Sequence, residues 1–425
     1  WQKNKLYFGA INQNGELKGI KEFKNKLINL DKKVSFFQPY WISKDTIVCS
    51  EDSTGWWNLV FIEIKNLEQI NIKKRITKSF CEYGIPQWNS GISLFSGSKD
   101  NLFCISKNQN RCILEQYKEF ILVKQFELPF SALWDLYALK NKLIFHASSF
   151  DLDSTLIELD LDNQFNSFNI IKKNYEKFSI SCVKAKSFWF DGFQGRSTHA
   201  WIYEPTYKIY DRPPLIVKAH SGPTSFFDGT FNKEVQFWVS RGWLVAEVNY
   251  AGSSGFGRDY IERLNGYWGI ADSYDCQALA KNLLELKLID KNRIAVFGNS
   301  AGGLTALNAL YDNDIFSAAI CKYPVSDLID MNANTHRFEK DYLNSLIGEY
   351  DKRSNDYFIR SPINNIEKIN QPTLFFHGQQ DSVISYKKTI EINDKLKSKN
   401  LNSIIKIFVN EGHGFSNLNN KYDVL

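Results

Sequence analysis

Three stretches carry the residue types that hydrolytic chemistry needs: Gly298-Asn299-Ser300-Ala301-Gly302, His377-Gly378-Gln379-Gln380-Asp381-Ser382-Val383, and Glu411-Gly412-His413-Gly414-Phe415. A serine hydroxyl is a poor nucleophile until an imidazole within hydrogen-bond reach takes its proton. His413 is the candidate for that role, first as general base and then as the acid that protonates the leaving group. Asp381 would fix the tautomer of His413 and stabilise the imidazolium that forms. Taken singly, each residue has a plain structural alternative: a glycine-rich strand-to-helix turn, a helix N-cap, a loop histidine. Their joint appearance in the order Ser300, Asp381, His413, each just past an apolar run, favours a nucleophilic triad.

Such side chains work only where elements hold them together. Arg293-Ile294-Ala295-Val296-Phe297 reads as a buried strand and Leu304-Thr305-Ala306-Leu307 as a helix, which sets Ser300 on a sharp turn between the two. Glycines are needed at 298 and 302 because a Cβ there would clash with the neighbouring strand and helix. Acyl transfer also needs two backbone N–H groups aimed at the developing oxyanion. Ala301, directly after the serine, is expected to supply one. Gly222 is expected to supply the other, from the loop His220-Ser221-Gly222-Pro223 after the apolar run 215–219. That loop is also a good turn sequence in its own right.

From Pro214 onward, strand-like runs (215–219, 243–248, 293–297, 318–321, 373–376, 404–409) alternate with helical stretches such as 231–240, 272–286, 304–311 and 386–398. This alternation predicts a mostly parallel sheet covered by helices on both faces, with the site at the carboxyl ends of the strands. Ser187-Phe188-Trp189-Phe190 and His199-Ala200-Trp201-Ile202-Tyr203 bracket Asp191-Gly192 and read as a hairpin opening this domain, residues 181–425.

Residues 1–180 show no long helical period. Short alternating segments are punctuated by Asp, Asn, Ser and Gly, and tryptophans recur at Trp41 (in Pro39-Tyr40-Trp41), Trp88 (in Pro86-Gln87-Trp88) and Trp134. A repeat of roughly 40–50 residues with several short strands is the pattern of propeller blades, and this length holds about four. The expected domain is therefore a partial β-propeller, incomplete at its N-terminus; a β-sandwich with coincidentally spaced tryptophans is the alternative. The chain opens at Trp1 and its only methionine is Met331, so a fragment or processed product is expected.

A hydrophobic fraction of 43% and a charged fraction of 23% suit a globular protein. The net charge of +5 is mild and no Lys/Arg run is interleaved with stacking aromatics, which argues against a nucleic-acid partner. No segment approaches 18 uninterrupted apolar residues, so no transmembrane helix is expected. Seven cysteines without a C-x-x-C favour reduced, mostly buried thiols and a cytoplasmic setting over disulfides or a zinc site. Nothing in the pattern asks for a metal or cofactor.

The second domain resembles the prolyl oligopeptidase family of serine peptidases, nearest its acylaminoacyl-peptidase and dipeptidyl-peptidase branches. The resemblance rests on residues 213–224, Phe237-Trp238-Val239-Ser240-Arg241-Gly242, the stretch 248–258 (Val-Asn-Tyr-Ala-Gly-Ser-Ser-Gly-Phe-Gly-Arg), 298–303, 377–383 and 411–415. It implies an α/β-hydrolase domain behind an N-terminal β-propeller that limits substrates to short peptides. Ser221 departs from the glycine the family often has there. Position 220 is a tyrosine in some branches, whose hydroxyl serves the oxyanion hole, and here it is His220. No pair of glutamates stands in a recognisable context for gripping a free amino terminus, so release of dipeptides is not supported. Tyr250 and Trp268, with His220, are the residues expected to meet the substrate; Phe256 and Tyr267 lie in the same segment. Arg258, Arg263 and Arg337 have surface roles by default, with capture of a peptide carboxylate as the alternative. The expected protein is a serine peptidase acting on short peptides without a membrane partner, and a homo-oligomer is left open. A carboxylesterase or lipase with the same triad is the alternative function, and a non-enzymatic propeller module the third.

Overall fold

Short strands joined by tight polar turns pair most readily with their sequence neighbours, and the first part of the chain is built from such meanders. The computed structural model describes residues 3–28, 33–85, 88, 91–108, 111–162, 168–173, 181–207, 209–311, 314–335, 339 and 341–424. The chain divides into one unit of Trp1–Phe178 with Ser254–Asp259 and a second of Ser179–Ser253 with Tyr260–Leu425.

In the first unit, Phe36–Ser43, Thr46–Glu51, Asn58–Asn66 and Gln69–Arg75 form a four-stranded antiparallel sheet. Ala132–Ala138, Lys142–Ser148, Thr155–Asp160 and Phe168–Lys173 form another. A five-stranded sheet between them in sequence uses Cys81–Glu82, Phe95–Ser98, Asn101–Asn108, Cys112–Lys118 and Ile121–Phe126. Tyr7–Ile11 pairs with Leu17–Glu22 as a two-stranded hairpin. The length that predicts about four blades thus corresponds, among the described residues, to three meanders and one hairpin. Trp41 and Trp134 lie in the first strands of the two four-stranded sheets, and Trp88 in the turn ahead of Phe95–Ser98. Pro86 and Gln87 fall outside the described residues. A bulge in each of those first strands puts a non-glycine residue at positive φ, Gln38 (49°) and Asp135 (54°). The Gln38 amide donates to Ser93 Oγ and to the Phe95 carbonyl, both at 2.8 Å, and so ties one meander to the next.

Segment Ser254–Asp259 groups with this first unit. Its Arg258 guanidinium pairs with Asp52, the Arg258 N–H donates to the Gly55 carbonyl at 2.8 Å, and the Gly257 N–H donates to Glu82 Oε1 at 2.9 Å.

The second unit is a single eight-stranded sheet. Its strands are β1 (Lys186–Asp191), β2 (Ser197–Tyr203), β3 (Leu215–Ala219), β4 (Leu244–Asn249), β5 (Ile294–Asn299), β6 (Ala318–Lys322), β7 (Thr373–Gly378) and β8 (Ser403–Phe408), in the order β1-β2-β4-β3-β5-β6-β7-β8. β1, β2 and β4 pair antiparallel, and every pairing from β4 to β8 is parallel. Parallel strands are buried on both faces, which is why β3 and β4 are buried along their whole length and read as largely apolar runs, broken by Lys218 in β3 and by Glu247 and Asn249 in β4. Helix α1 (Lys233–Val239) packs Val235 and Val239 on Ile216, Val245 and Phe297 of one face. Helix α2 (Ala271–Glu285) packs Leu279 and Leu283 with Val217, Val296 and Leu307 on the other. Under α1 the sheet also buries charge: Lys218 and Lys322, 5% and 7% exposed, both bond Glu234, at 3.1 and 2.6 Å.

Helix α3 (Ala301–Asn308) starts at Ala301, directly after the turn, rather than at Leu304 as the sequence pattern predicts. Gly302 and Gly303 read as turn residues by propensity, yet both are helical here because nothing larger fits. A Cβ on Gly302 would lie 2.4 Å from the Ala219 carbonyl oxygen, and one on Gly303 would lie 2.5 Å from Pro324 Cβ. Helix α4 (Leu328–Asn334) is capped by Asp327, helix α5 (Tyr386–Ser398) follows β7, and a short helix, Leu418–Asp423, follows the His413 loop. Among the described residues no helix is long and apolar enough to cross a membrane.

Candidate active site

The turn between β5 and α3 gives Ser300 its geometry. Ser300 adopts φ 52° and ψ −118°, a conformation that a non-glycine residue holds only when its surroundings over-determine it. Here its N–H donates to the Lys322 carbonyl at 3.0 Å, and its own carbonyl accepts from Gly303 at 2.9 Å and Val325 at 3.1 Å. The glycines explain the tightness. A Cβ on Gly298 would sit 1.9 Å from the Gly302 carbonyl oxygen, and the Gly302 contact holds the exit of β3 against the first turn of α3.

His413 and Asp381 reach the serine from the ends of β8 and β7. His413 Nε2 lies 3.0 Å from Ser300 Oγ and Nδ1 lies 2.8 Å from Asp381 Oδ2. A carboxylate can only accept, so Nδ1 carries the proton and Nε2 is free to take one from the serine hydroxyl. Asp381 Oδ1 accepts from the amides of Val383 (2.8 Å) and Ile384 (2.9 Å). Burial alone would raise the Asp381 pKa; hydrogen bonds from His377, His413 and the Ile384 amide outweigh it and hold the carboxyl well below its usual range. The group is therefore ionised wherever the imidazolium needs it.

Three positioning residues have no signal of their own in the sequence. His377 is fully buried, with Nε2 facing Asp381 Oδ2 (3.2 Å) and the Ile384 carbonyl (3.0 Å) and Nδ1 facing Thr389 Oγ1 (2.8 Å). Both partners of Nε2 are acceptors, so Nε2–H donates, and Asp381 Oδ2 receives a second donor on the same oxygen that bonds His413. Tyr323 holds φ 37° and sets its ring 4.7 Å from that of His413, tilted by 59°. Glu411 accepts from the amides of Ser416 (2.8 Å) and Asn417 (2.9 Å) and from Asn420 (2.8 Å), which shapes the loop that presents His413. Burial opposes the Glu411 charge, but those donors hold its pKa down to about 2.

Ala301 is the first residue of α3, so its N–H has no intrahelical carbonyl to bond. Gly222 has φ +63°, in the left-handed region, and its carbonyl accepts from Ser225 at 2.9 Å and faces His220 Nδ1 at 3.1 Å. His220 differs from the expectation that it meets substrate. It is 4% exposed, its Nδ1 faces the Ser221 and Gly222 carbonyls, its Nε2 lies 2.8 Å from Ser253 Oγ, and burial pushes its pKa down to about 4. A neutral ring therefore donates from Nδ1 into its own loop, while Nε2 faces Ser253 Oγ, whose hydroxyl also lies 2.8 Å from the Tyr250 carbonyl.

Tyr250 and Trp268 also differ from their expected place at the substrate. Both are fully buried. Tyr250 stacks on His220 with ring centroids 4.0 Å apart and donates its hydroxyl to the His220 carbonyl at 3.0 Å, so it supports the loop that carries Gly222. Trp268 belongs to the core with Leu264, Ala301 and Leu304. Large aromatics near strand ends serve core and pocket equally well, and sequence spacing does not separate the two. Arg258 is bound within the first unit, and Arg263 donates to the Ser197 carbonyl at 2.8 Å and covers the Tyr260 ring. Arg337 lies outside the described residues.

Residues 229–425 match the family model described as the prolyl oligopeptidase family. The chain is similar to acylamino-acid-releasing enzyme 1 of Oryza sativa subsp. japonica, 29% identical over 211 residues that cover 47% of this chain and 27% of that protein. It is also similar to the acylamino-acid-releasing enzyme of Mus musculus, 28% identical over 215 residues, 48% of this chain and 29% of that protein. Among solved structures it resembles a puromycin-hydrolyzing peptidase of Mycobacterium tuberculosis, with TM-score 0.89 and 26% identity over 98% of this chain and 64% of that one. The matched region thus spans under a third of the curated relatives' length.

Proposed function

Since residues 229–425 match the model of the prolyl oligopeptidase family, we propose that this protein is a serine peptidase that hydrolyses short peptides through an acyl-enzyme. The observation that carries the reading is the continuous relay from Ser300 Oγ to His413 Nε2 (3.0 Å) and from His413 Nδ1 to Asp381 Oδ2 (2.8 Å), mounted on a strained turn. In this mechanism Ser300 Oγ attacks the peptide carbonyl carbon while His413 Nε2 takes the hydroxyl proton. The oxyanion is received by the N–H groups of Ala301 and Gly222, and losing one such donor typically costs about 3 kcal/mol of barrier. The imidazolium, paired with Asp381, then gives its proton to the leaving amine. A water repeats the sequence on the acyl-enzyme, with His413 again as base, and frees the acid. The relatives named as acylamino-acid-releasing enzymes support N-acylated short peptides as the substrate class, ahead of the carboxylic esters that the same triad could cleave.

A fluorophosphonate probe is expected to label the wild-type chain and not Ser300→Ala; equal labelling of both would sink the assignment. In a panel of acyl-aminoacyl anilides, free aminoacyl anilides and short-chain esters, the acylated anilides are expected to be cleaved. Turnover of esters alone would put an esterase in the peptidase's place.

A further inference from the structure

Two buried lysines stand on the strands either side of the one that delivers Ser300, and a single carboxylate holds both. In the sheet, β5 lies between β3 and β6. Lys218 of β3 is in register with Phe297 of β5, and Lys322 of β6 with Asn299. Residues 297 and 299 share one face of β5, so both lysines rise on the α1 side of the sheet. There Glu234 of α1 spans β5, with Oε2 accepting from Lys218 Nζ at 3.1 Å and Oε1 from Lys322 Nζ at 2.6 Å. Both ammoniums lie over the Phe297 ring between them, 5.4 and 5.0 Å from its centre.

The bridge is fixed at its own root. Asn232 caps α1 and its side-chain oxygen accepts from the Glu234 N–H at 3.0 Å. Burial opposes the Glu234 charge, but the two ammoniums outweigh it and hold the carboxyl below its usual range. Lys218 has a second acid beside it, Glu247 Oε1 of β4 at 3.5 Å, and Tyr203 donates to Glu247 Oε2 at 3.0 Å.

Buried ion pairs are a poor glue, since apolar side chains of similar volume often stabilise as well or better. A carboxylate bonded through both oxygens does something apolar packing does not, because it fixes a distance. Its two ends sit where the site is tied down. The Lys322 carbonyl accepts from the Ser300 N–H at 3.0 Å, and the next residue, Tyr323, sets its ring against His413. Lys218 precedes Ala219, whose carbonyl lies where β3 meets Gly302 of α3, and the loop of His220 and Gly222 follows.

We propose that Glu234 is a positioning residue for the nucleophile: by bridging Lys218 and Lys322 it sets the separation of β3 and β6 and so holds the Ser300 turn, with its φ of 52°, in the reactive geometry. The inference rests on the serine-peptidase reading above. A misplacement of about 1 Å at a reacting group can cost about 100-fold in rate.

The test uses the full chain, an N-acetyl aminoacyl anilide, urea unfolding, and fluorophosphonate labelling of Ser300 taken to completion to count folded sites. The double variant Glu234→Gln, Lys322→Met removes both charges of one arm at similar volume and leaves Lys218 beside Glu247. Its urea midpoint is expected to stay near that of wild type or to rise. Its kcat per labelled site should nevertheless fall by about tenfold or more, with KM unchanged. A merely structural role would return kcat together with stability. Lys322→Met alone should lose kcat, and Lys322→Arg, which keeps the ion pair, should recover most of it. Glu234→Asp keeps the charge but shortens the arm by one methylene, so one carboxylate no longer reaches both ammoniums, and kcat should fall there too. Wild-type kcat per labelled site in the neutral pair or in Glu234→Asp overturns the proposal; if the neutral pair does not fold, Glu234→Asp decides alone. Wild type that is neither labelled nor active on any anilide overturns the peptidase reading itself.

Discussion

A buried histidine with both ring nitrogens engaged is poorly placed to contact a substrate as well. His220 holds the carbonyls of Ser221 and Gly222 through Nδ1 and rests on Tyr250, so its contribution to hydrolysis runs through the Gly222 donor. His220→Ala is expected to lower kcat by about 10- to 100-fold, a fraction of what losing an oxyanion donor outright costs, with little change in KM. Steady-state kinetics on an acylated anilide decides it, and a rise in KM alone would return His220 to the substrate. At this scale the sequence is clear where a role is written locally. Ser300 is flanked by its own glycines, and Asp381 and His413 each sit just past an apolar strand. Other roles depend on which atoms the fold brings opposite one another. His377 resembles any polar residue ending a strand until Asp381 turns back over it, and Tyr323 acts through a ring contact with a residue 90 positions away.

Elements in this protein are placed by close backbone approach as much as by apolar packing. Gly302 is where β3 meets α3, and Gly302→Ala would push a methyl to 2.4 Å from the Ala219 oxygen and 2.6 Å from the His220 oxygen, both backbone atoms with little freedom to yield. The expected cost is about 1–3 kcal/mol of stability, with slower labelling of Ser300 because the two proposed oxyanion donors sit on the two elements being separated. Urea midpoint and probe labelling measured together check this; a variant unchanged in both would show that the contact relaxes freely. Alternating strands and helices are legible in the sequence because parallel strands are mostly apolar on both faces, as in β3 and β4 apart from Lys218, Glu247 and Asn249. The tryptophan repeat is legible for a similar reason, since Trp41 and Trp134 occupy equivalent first strands. The start of α3 is not, because helix propensity counts Gly302 and Gly303 against a helix that only glycine can begin at that spacing.

At the scale of the whole chain, stability should bend with pH through buried acids. Asp275 on α2 is buried and accepts from the amides of Phe193 (2.6 Å) and Ala251 (2.7 Å). Burial lifts its pKa to about 7, and those two amides only partly offset the effect. A folded-state value above the unfolded one means that the native protein binds more protons between the two. The associated stability is present below about pH 4 and is lost as pH rises towards 7. Asp275→Asn removes this dependence. The variant should gain on wild type by on the order of 1–4 kcal/mol between pH 4 and pH 8, read as the difference in thermal or urea unfolding across that range. A constant difference would show that Asp275 does not titrate there. Sequence composition gives no hint of this behaviour, because nothing in a count of acids separates a buried carboxyl from a solvated one. The turn at Ser300 sets a related tension. Its φ of 52° is one that only glycine adopts without cost, and glycine there would remove the proposed nucleophile. Thermodynamic stability and turnover therefore favour different residues at this one position, and the rest of the α/β unit must supply enough surplus stability for serine to persist there.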